Sequence, residues 1–188
     1  MASQDTSDSF VFPAYYSFPP FFTPQPNTNT RLSQLRKWSA LIRAYCRHHK
    51  IYRLSLVDVD SPLFYNSTIQ KRLSLAEARN VIDWMCREEG DRRAEWIGPT
   101  GNTNAKVTAY IWWRRPEEWA TIIYEWVEQT GQKKTVLTLY ELIEGEETMS
   151  QEFHGMDSTV MQKSLSVLVK NGKAQIFGNE DEQGVKFF

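Results

Sequence analysis

Residues 116–131, PEEWATIIYEWVEQTG, carry the clearest helical signature in the chain. Trp119, Ile122, Ile123, Trp126 and Val127 recur at i, i+3, i+4, i+7 and i+8, the spacing that lines one face of an α-helix. Pro116 suits the first turn, where an amide has no helical partner, and Glu117 and Glu118 suit the positive end of the helix dipole. Gly131 marks the stop. Downstream, residues 134–137 read as a short strand, and Thr138 with Glu141 forms a capping box that opens a brief helix through Leu142 and Ile143. Asp157 or Ser158 then caps a helix carrying Val160, Met161, Leu165, Leu168 and Val169. Residues 174–177 and 185–188 flank the polar turn 178–184 as a terminal hairpin.

The same order occurs upstream. Asn27 to Thr30 is a run of capping residues, after which Leu32, Leu35, Trp38, Ile42, Tyr45 and His49 recur at helical spacing. Tyr52, Leu54 and Leu56 alternate with polar residues as a half-buried strand. Pro62 predicts a small second helix through Leu63, Phe64 and Tyr65. Ser74 and Glu77 predict a capping box, with Leu73 stapled to Ala78, for a third helix that buries Leu75, Ala78, Val81, Ile82 and Met85 and stops near Gly90. Residues 93–97 and 106–113 flank a loop of turn residues and predict a hairpin. Helix, strand, short helix, helix and hairpin thus appear twice. The expected fold is α+β, two tandem winged-helix domains spanning 27–114 and 115–188.

Composition narrows the function classes. A formal net charge of −1 leaves no overall field toward nucleic acid or an anionic membrane, although local patches are another matter. Two cysteines, Cys46 and Cys86, have no metal-ligand spacing, and a reducing compartment fits them. No segment resembles a signal peptide, and no run approaches the roughly 20 apolar residues of a membrane span. The expectation is a cytoplasmic protein that meets membranes through partners.

No catalytic, cofactor or metal site is expected. Phosphate-binding glycine loops, CxxC, HExxH and GxSxG are absent from the sequence. His48 and His49 are adjacent on a helix and point apart, His154 is isolated, and Glu144, Glu146 and Glu147 read as a solvated run. The third helices suit DNA poorly: the first carries Glu77, Asp83, Glu88 and Glu89, and the second lacks arginine. A denser positive patch, Arg31, Arg36, Lys37, Arg43, Arg47, Lys50 and Arg53, reads first as a solvated face and second as a surface for an acidic partner. The alternative to a protein-binding role is a winged-helix nucleic-acid-binding or transcription-associated protein.

Residues 1–26 differ from the rest. After a polar start, Phe10, Phe12, Tyr15, Tyr16, Phe18, Phe21 and Phe22 interleave with Pro13, Pro19, Pro20, Pro24 and Pro26, which favours an extended, polyproline-like path. A disordered tail would be poor in aromatics. The segment therefore docks its rings into a partner's apolar groove, or else folds back onto its own first domain.

SFPPFFTPQP at 17–26, RLSQLRKWSALIRAYCRHHK at 31–50 and PEEWATIIYEWVEQTGQ at 116–132 resemble the Vps25 subunit family of the ESCRT-II endosomal sorting complex, and look like an animal member of it. The resemblance implies a non-catalytic adaptor in the sorting of ubiquitinated cargo into multivesicular bodies, recruited from the cytoplasm to endosomal membrane. It implies that a PPxY-type motif joins the chain to two larger ESCRT-II subunits, matched by Pro19, Pro20, Phe21 and Phe22 with Phe18 beside them. It further implies that the second domain recruits an ESCRT-III subunit helix. The resemblance assigns no individual contacts there; exposed residues on that domain's first and third helices are the expected seat, because a groove between two helices suits an amphipathic helix. Phe22 departs from the motif's tyrosine, so a hydroxyl hydrogen bond is lost while apolar insertion is not. WW and SH3 domains are weak candidate partners for this segment.

Overall fold

The computed structural model describes residues 9–99, 101–179 and 182–188. The polar stretch 1–8, expected as a frayed terminus, lies outside them, as do Thr100, Glu180 and Asp181 in two expected turns. The chain separates into two compact units, one ending at Trp113 and the other spanning Arg114–Phe188.

In the first unit, α1 (Thr28–His48) starts where Asn27 Oδ1 accepts the Thr30 amide at 3.1 Å. Its buried face holds Leu35, Trp38, Ile42 and Tyr45 as the periodicity predicts, and is widened by Gln34, Ser39, Leu41 and Cys46. His49, expected on that stripe, is exposed. Next come β1 (Arg53–Ser55), a two-residue hairpin of β2 (Tyr65–Asn66) and β3 (Lys71–Arg72), α2 (Leu75–Met85), β4 (Ala94–Trp96) and β5 (Thr108–Ile111). Both β1 and β4 pair antiparallel with β5, with Leu54 opposite Ala109 and Ala94 opposite Ile111. These residues face the core formed by Trp38, Ile42, Val81, Ile82 and Met85.

The second unit repeats the plan with α3 (Pro116–Gln129), β6 (Val136–Thr138), α4 (Leu139–Glu144), α5 (Ser158–Lys170), β7 (Ala174–Phe177) and β8 (Gly184–Phe187). Its sheet runs β6-β8-β7, so in both units the last strand lies between the other two. The repeated element order is therefore also a repeated topology, that of tandem winged-helix domains in an α+β fold. Trp119, Ile123, Leu142, Phe153, Leu165 and Phe187 fill the core, each worth roughly 1.5–3 kcal/mol on burial. Gly131 follows α3 at φ +68°, a left-handed turn that a residue with a Cβ resists.

Three local expectations need correction. The helix expected at Leu63–Tyr65 is a turn leading into β2, although Leu63 and Phe64 are buried. Leu75, expected inside, is 38% exposed at the start of α2. The Ser74 cap forms, with its Oγ accepting the Glu77 amide at 3.1 Å, but the Glu77 carboxylate turns to an ion pair with Arg31 instead of closing the box. The box at α4 does close: Thr138 N donates to Glu141 Oε2 at 2.7 Å and Glu141 N donates to Thr138 Oγ1 at 3.1 Å. The Thr138 hydroxyl also donates to Glu141 Oε2 at 2.9 Å, and the bonds that the carboxylate accepts, from the Thr138 backbone first and its hydroxyl second, hold the Glu141 carboxyl below its ordinary value.

Candidate functional site

The proline-aromatic segment is not extended. It forms two single 3₁₀ turns, Ala14–Ser17 and Pro19–Phe22, each led by a proline whose fixed φ favours the tight turn. Amides of Tyr16, Phe18, Phe21 and Thr23 donate to carbonyls three residues back, at 2.9–3.2 Å. The carbonyls of Tyr16, Phe21 and Thr23 find donors on α1 and β2. Gln34 Nε2 donates to Phe21 O at 2.9 Å and Thr23 O at 2.7 Å, and Trp38 Nε1 donates to Phe21 O at 3.0 Å. Asn66 Nδ2 donates to Tyr16 O at 2.9 Å, while the Tyr16 hydroxyl donates to Pro62 O and to Tyr65 O, the latter at 3.1 Å. Burial, then the neighbouring Tyr45, pushes the Tyr16 hydroxyl up to about 12, so it remains a neutral donor at physiological pH.

The rings complete the clasp. Phe21 stacks on Trp38 with centroids 4.2 Å apart and planes 9° from parallel, and Phe22 meets the same indole edge-on at 5.5 Å. Phe12 stacks on Tyr16 at 4.1 Å, and Phe10 packs edgewise on Tyr45 at 5.2 Å and His48 at 5.5 Å. Of the five residues expected to face a partner, Phe21 and Phe22 are each 5% exposed and belong to the first unit's own core. Phe18, 60% exposed, and Pro19 and Pro20 stand outside on the turn that those two rings anchor.

Beside this ridge runs a groove of about 380 Å³ between the segment and α1, lined by Tyr15, Phe18, Pro20, Phe21, Gln34 and Lys37. Lys37 reaches over the Tyr15 ring at 5.6 Å, and the Tyr15 hydroxyl donates to the Lys37 carbonyl at 3.2 Å. Sequence reasoning missed Gln34 and Asn66, the two buried amides that satisfy the segment's carbonyls. Gln34 did leave a signal, because Gln34, Trp38, Leu41 and Tyr45 share one helical face and a polar residue there needs a buried partner. Asn66 left none.

In the second unit a groove of about 490 Å³ lies between α3 and α5, lined by Glu117, Thr121, Tyr124, Glu125, Glu128 and Val167 among others. Tyr124 is held by its hydroxyl, which donates to Phe188 O at 2.6 Å, and by Lys133 and Lys173 over its ring at 5.0 and 4.5 Å. Lys133 also pairs with Glu128 at 2.6 Å. The side chains that sequence chemistry singled out have structural neighbours: His154 Nδ1 shares a hydrogen bond with Thr148 Oγ1 at 2.9 Å, and His48 and His49 touch each other and Phe10. Burial raises the Cys46 thiol far above its ordinary value and Cys86 to about 11, which disfavours the reactive thiolate. Among the described residues no helix is long and apolar enough to cross a membrane, and no three His, Cys, Asp or Glu side chains group around a metal position.

Comparison with known proteins gives this arrangement a family. Residues 15–157 match the family described as ESCRT-II complex subunit. Vacuolar protein-sorting-associated protein 25 of Xenopus laevis is 44% identical across 95% of this chain and 99% of its own length. The Homo sapiens protein of the same name is 41% identical across 96% of this chain and 98% of its own. A crystal structure of subunit VPS25 of the endosomal trafficking complex ESCRT-II superimposes with a TM-score of 0.82 at 31% identity, covering 94% of this chain and 98% of the other. A chain from the crystal structure of the endosomal complex ESCRT-II (VPS22/VPS25/VPS36) gives 0.80 at 32% identity, covering 93% and 98%. With a matched segment that begins inside the aromatic clasp and runs to the cap of α5, this chain belongs to the family of ESCRT-II complex subunits.

Proposed function

We propose that this chain is a non-catalytic adaptor that joins two larger subunits, of the kind named VPS22 and VPS36 in the solved relative, and recruits a downstream ESCRT-III subunit for sorting of ubiquitinated cargo into multivesicular bodies at the endosome. Residues 1–26 with the first domain, 27–114, make the first contact, and the second domain, 115–188, makes the second.

The observation that carries the first contact is the split within residues 18–22. Phe21 and Phe22 fix the turn from inside, so Phe18, Pro19 and Pro20 are presented on a rigid base and lose little entropy on docking. A rigid, exposed aromatic beside two prolines, flanked by an apolar groove, suits an apolar pocket of a partner. The missing hydroxyl on Phe22 has no bearing on that contact, since the Phe22 ring faces Trp38. For the second contact, the α3–α5 groove presents Glu117 and Glu125 beside Val167, which suits an amphipathic helix with a basic flank.

Co-expression with the two larger subunits tests the reading. Phe18→Ala with Pro20→Ala removes the exposed ridge and lowers co-purification by at least tenfold, as expected for a hot spot of roughly 2 kcal/mol, with the melting temperature unchanged. Undiminished co-purification sinks the docking role of the ridge. Glu117→Lys with Glu125→Lys leaves that co-purification intact and weakens capture of the downstream helix.

A further inference from the structure

Between β1 and β2 the chain carries Val57, Asp58, Val59 and Asp60, followed by Ser61 and Pro62. Both ends of this crossing are fixed. The Leu56 amide donates to Val107 O at 2.8 Å, and Leu63 and Phe64 belong to the core of the first unit. From Val57 through Pro62, in contrast, no residue is buried, and Val57 and Val59 are 52% and 68% exposed. The Asp58 carboxylate accepts the Asp60 amide at 3.1 Å, while the Asp60 carboxylate has no partner among the described residues. Arg72 Nη2 reaches Val59 O at 3.5 Å, the far limit of a hydrogen bond. An exposed crossing between anchored ends is where a protease finds the few residues of accessible backbone that it needs.

We propose that the peptide bond between Asp60 and Ser61 is a cleavage site for an aspartate-specific cysteine protease of the caspase type. Such an enzyme reads the carboxylate immediately before the cut with arginine forks, an apolar or acidic side chain three places earlier, and a small residue immediately after. Asp60 supplies the carboxylate, Val57 the exposed apolar side chain and Ser61 the small one. Pro62 stands one place beyond the scissile bond, which stays an ordinary secondary amide. The protease thiolate adds to the Asp60 carbonyl carbon, and the bond to the Ser61 nitrogen breaks. Ser61 leaves as an amine with a proton from the protease's histidine, and water hydrolyses the thioester to a carboxylate on Asp60. Serine follows aspartate at three places, Asp8, Asp60 and Asp157. Asp157 is unsuited, because its Oδ1 accepts the Thr159 and Val160 amides at 2.9 and 3.2 Å as the cap of α5, and Met156 before it is 2% exposed. Asp8 lies outside the described residues. Cleavage after Asp60 leaves the clasp, α1 and β1 on one fragment and α2 with the second unit on the other. The bonds from the Tyr16 hydroxyl to Pro62 O and Tyr65 O then join two chains. On the adaptor reading the cut separates the ridge at Phe18 from the recruiting unit. That consequence rests on the proposed function, whereas the cleavage site does not.

Incubation of the folded full chain with a purified initiator caspase, one that prefers an aliphatic residue at the fourth place before the cut, tests the proposal. The products are read by intact mass and by N-terminal sequencing. Fragments 1–60 and 61–188 are expected, the second beginning at Ser61. Asp60→Glu keeps the charge but lengthens the side chain, and Asp60→Asn keeps the shape but removes the charge. Each is expected to slow the cut by about a hundredfold or more, with circular dichroism unchanged. Val57→Lys, which leaves the scissile bond untouched, is expected to slow it by about tenfold. The proposal is overturned if the parent chain stays whole, if it is cut after Asp8 or Asp157 and not after Asp60, or if Asp60→Asn is cut at the parent's rate. Cleavage after Asp60 only in chain already unfolded by denaturant overturns it as well. Fragment mapping needs neither larger subunit, so its failure is distinct from a failure of the adaptor reading, which co-purification reads.

Discussion

The two units share one topology and differ at its second helix. In the second unit that helix exists as α4, Leu139–Glu144, closed by the reciprocal Thr138–Glu141 box. In the first unit the equivalent stretch is a turn and the β2–β3 hairpin, and its carbonyls at Pro62 and Tyr65 receive the Tyr16 hydroxyl. An element supplied from 46 residues away in sequence takes the place of a local one. A winged-helix core therefore tolerates loss of its second helix when another segment covers the same apolar surface and satisfies the same backbone groups. The first unit gains from this a rigid external ridge that the second unit has no counterpart for.

Breaking the clasp has the largest expected effect. Phe22→Ala removes a ring that is 5% exposed from the Trp38 cluster and destabilises the first unit by roughly 3–5 kcal/mol. Hydrogen exchange is expected to accelerate in residues 10–72 and not in residues 139–170. Equal acceleration in both would mean that the units are not separately held.

Tyr16→Phe is gentler and more specific. It deprives two carbonyls of their donor and costs roughly 1–3 kcal/mol, read as a lowered denaturation midpoint with early exchange around β2 and β3.

The local helix is expected to yield less. Thr138→Ala costs about 1 kcal/mol of cap stability. The Glu141 half of the box is pH-dependent: a carboxyl whose value is lowered in the folded chain contributes fully above the ordinary glutamate value of 4.5 and loses that contribution as pH falls through its lowered value. Glu141→Gln is expected to flatten this acid-side decline in α4 protection, and an unchanged pH profile would remove the box from the comparison.

The smallest effect on stability belongs to Phe18→Ala, within about 0.5 kcal/mol because the ring is 60% exposed. Against Phe22→Ala, four positions away, it separates the inward from the outward half of one turn. A stability loss as large as that of Phe22→Ala would place Phe18 in the core.

The helices were readable because their information is local. Periodicity at 119–127 and caps at Asn27, Ser74, Thr138 and Asp157 act within one or two turns, and all four caps form. The candidate site was readable only by composition. Seven aromatics among five prolines announced that residues 10–26 bury their rings somewhere, without saying which ring faces which way. The error at residues 63–65 has the same origin. Pro62 and three apolar residues are compatible with a helix start or with a buried turn, and the deciding partner, Tyr16, is distant in sequence.

By itself, then, the sequence determined the tandem helix-strand-helix-hairpin order, the charge of each half and the presence of an unusual aromatic arm. Those are consequences of near-neighbour spacing and of counting. The tertiary structure alone decided that Phe21 and Phe22 complete the core while Phe18, Pro19 and Pro20 remain outside. It did so because Trp38, Gln34 and Asn66 offer one apolar face and a fixed set of donors, and the turn that satisfies those donors turns the rings of Phe21 and Phe22 inward.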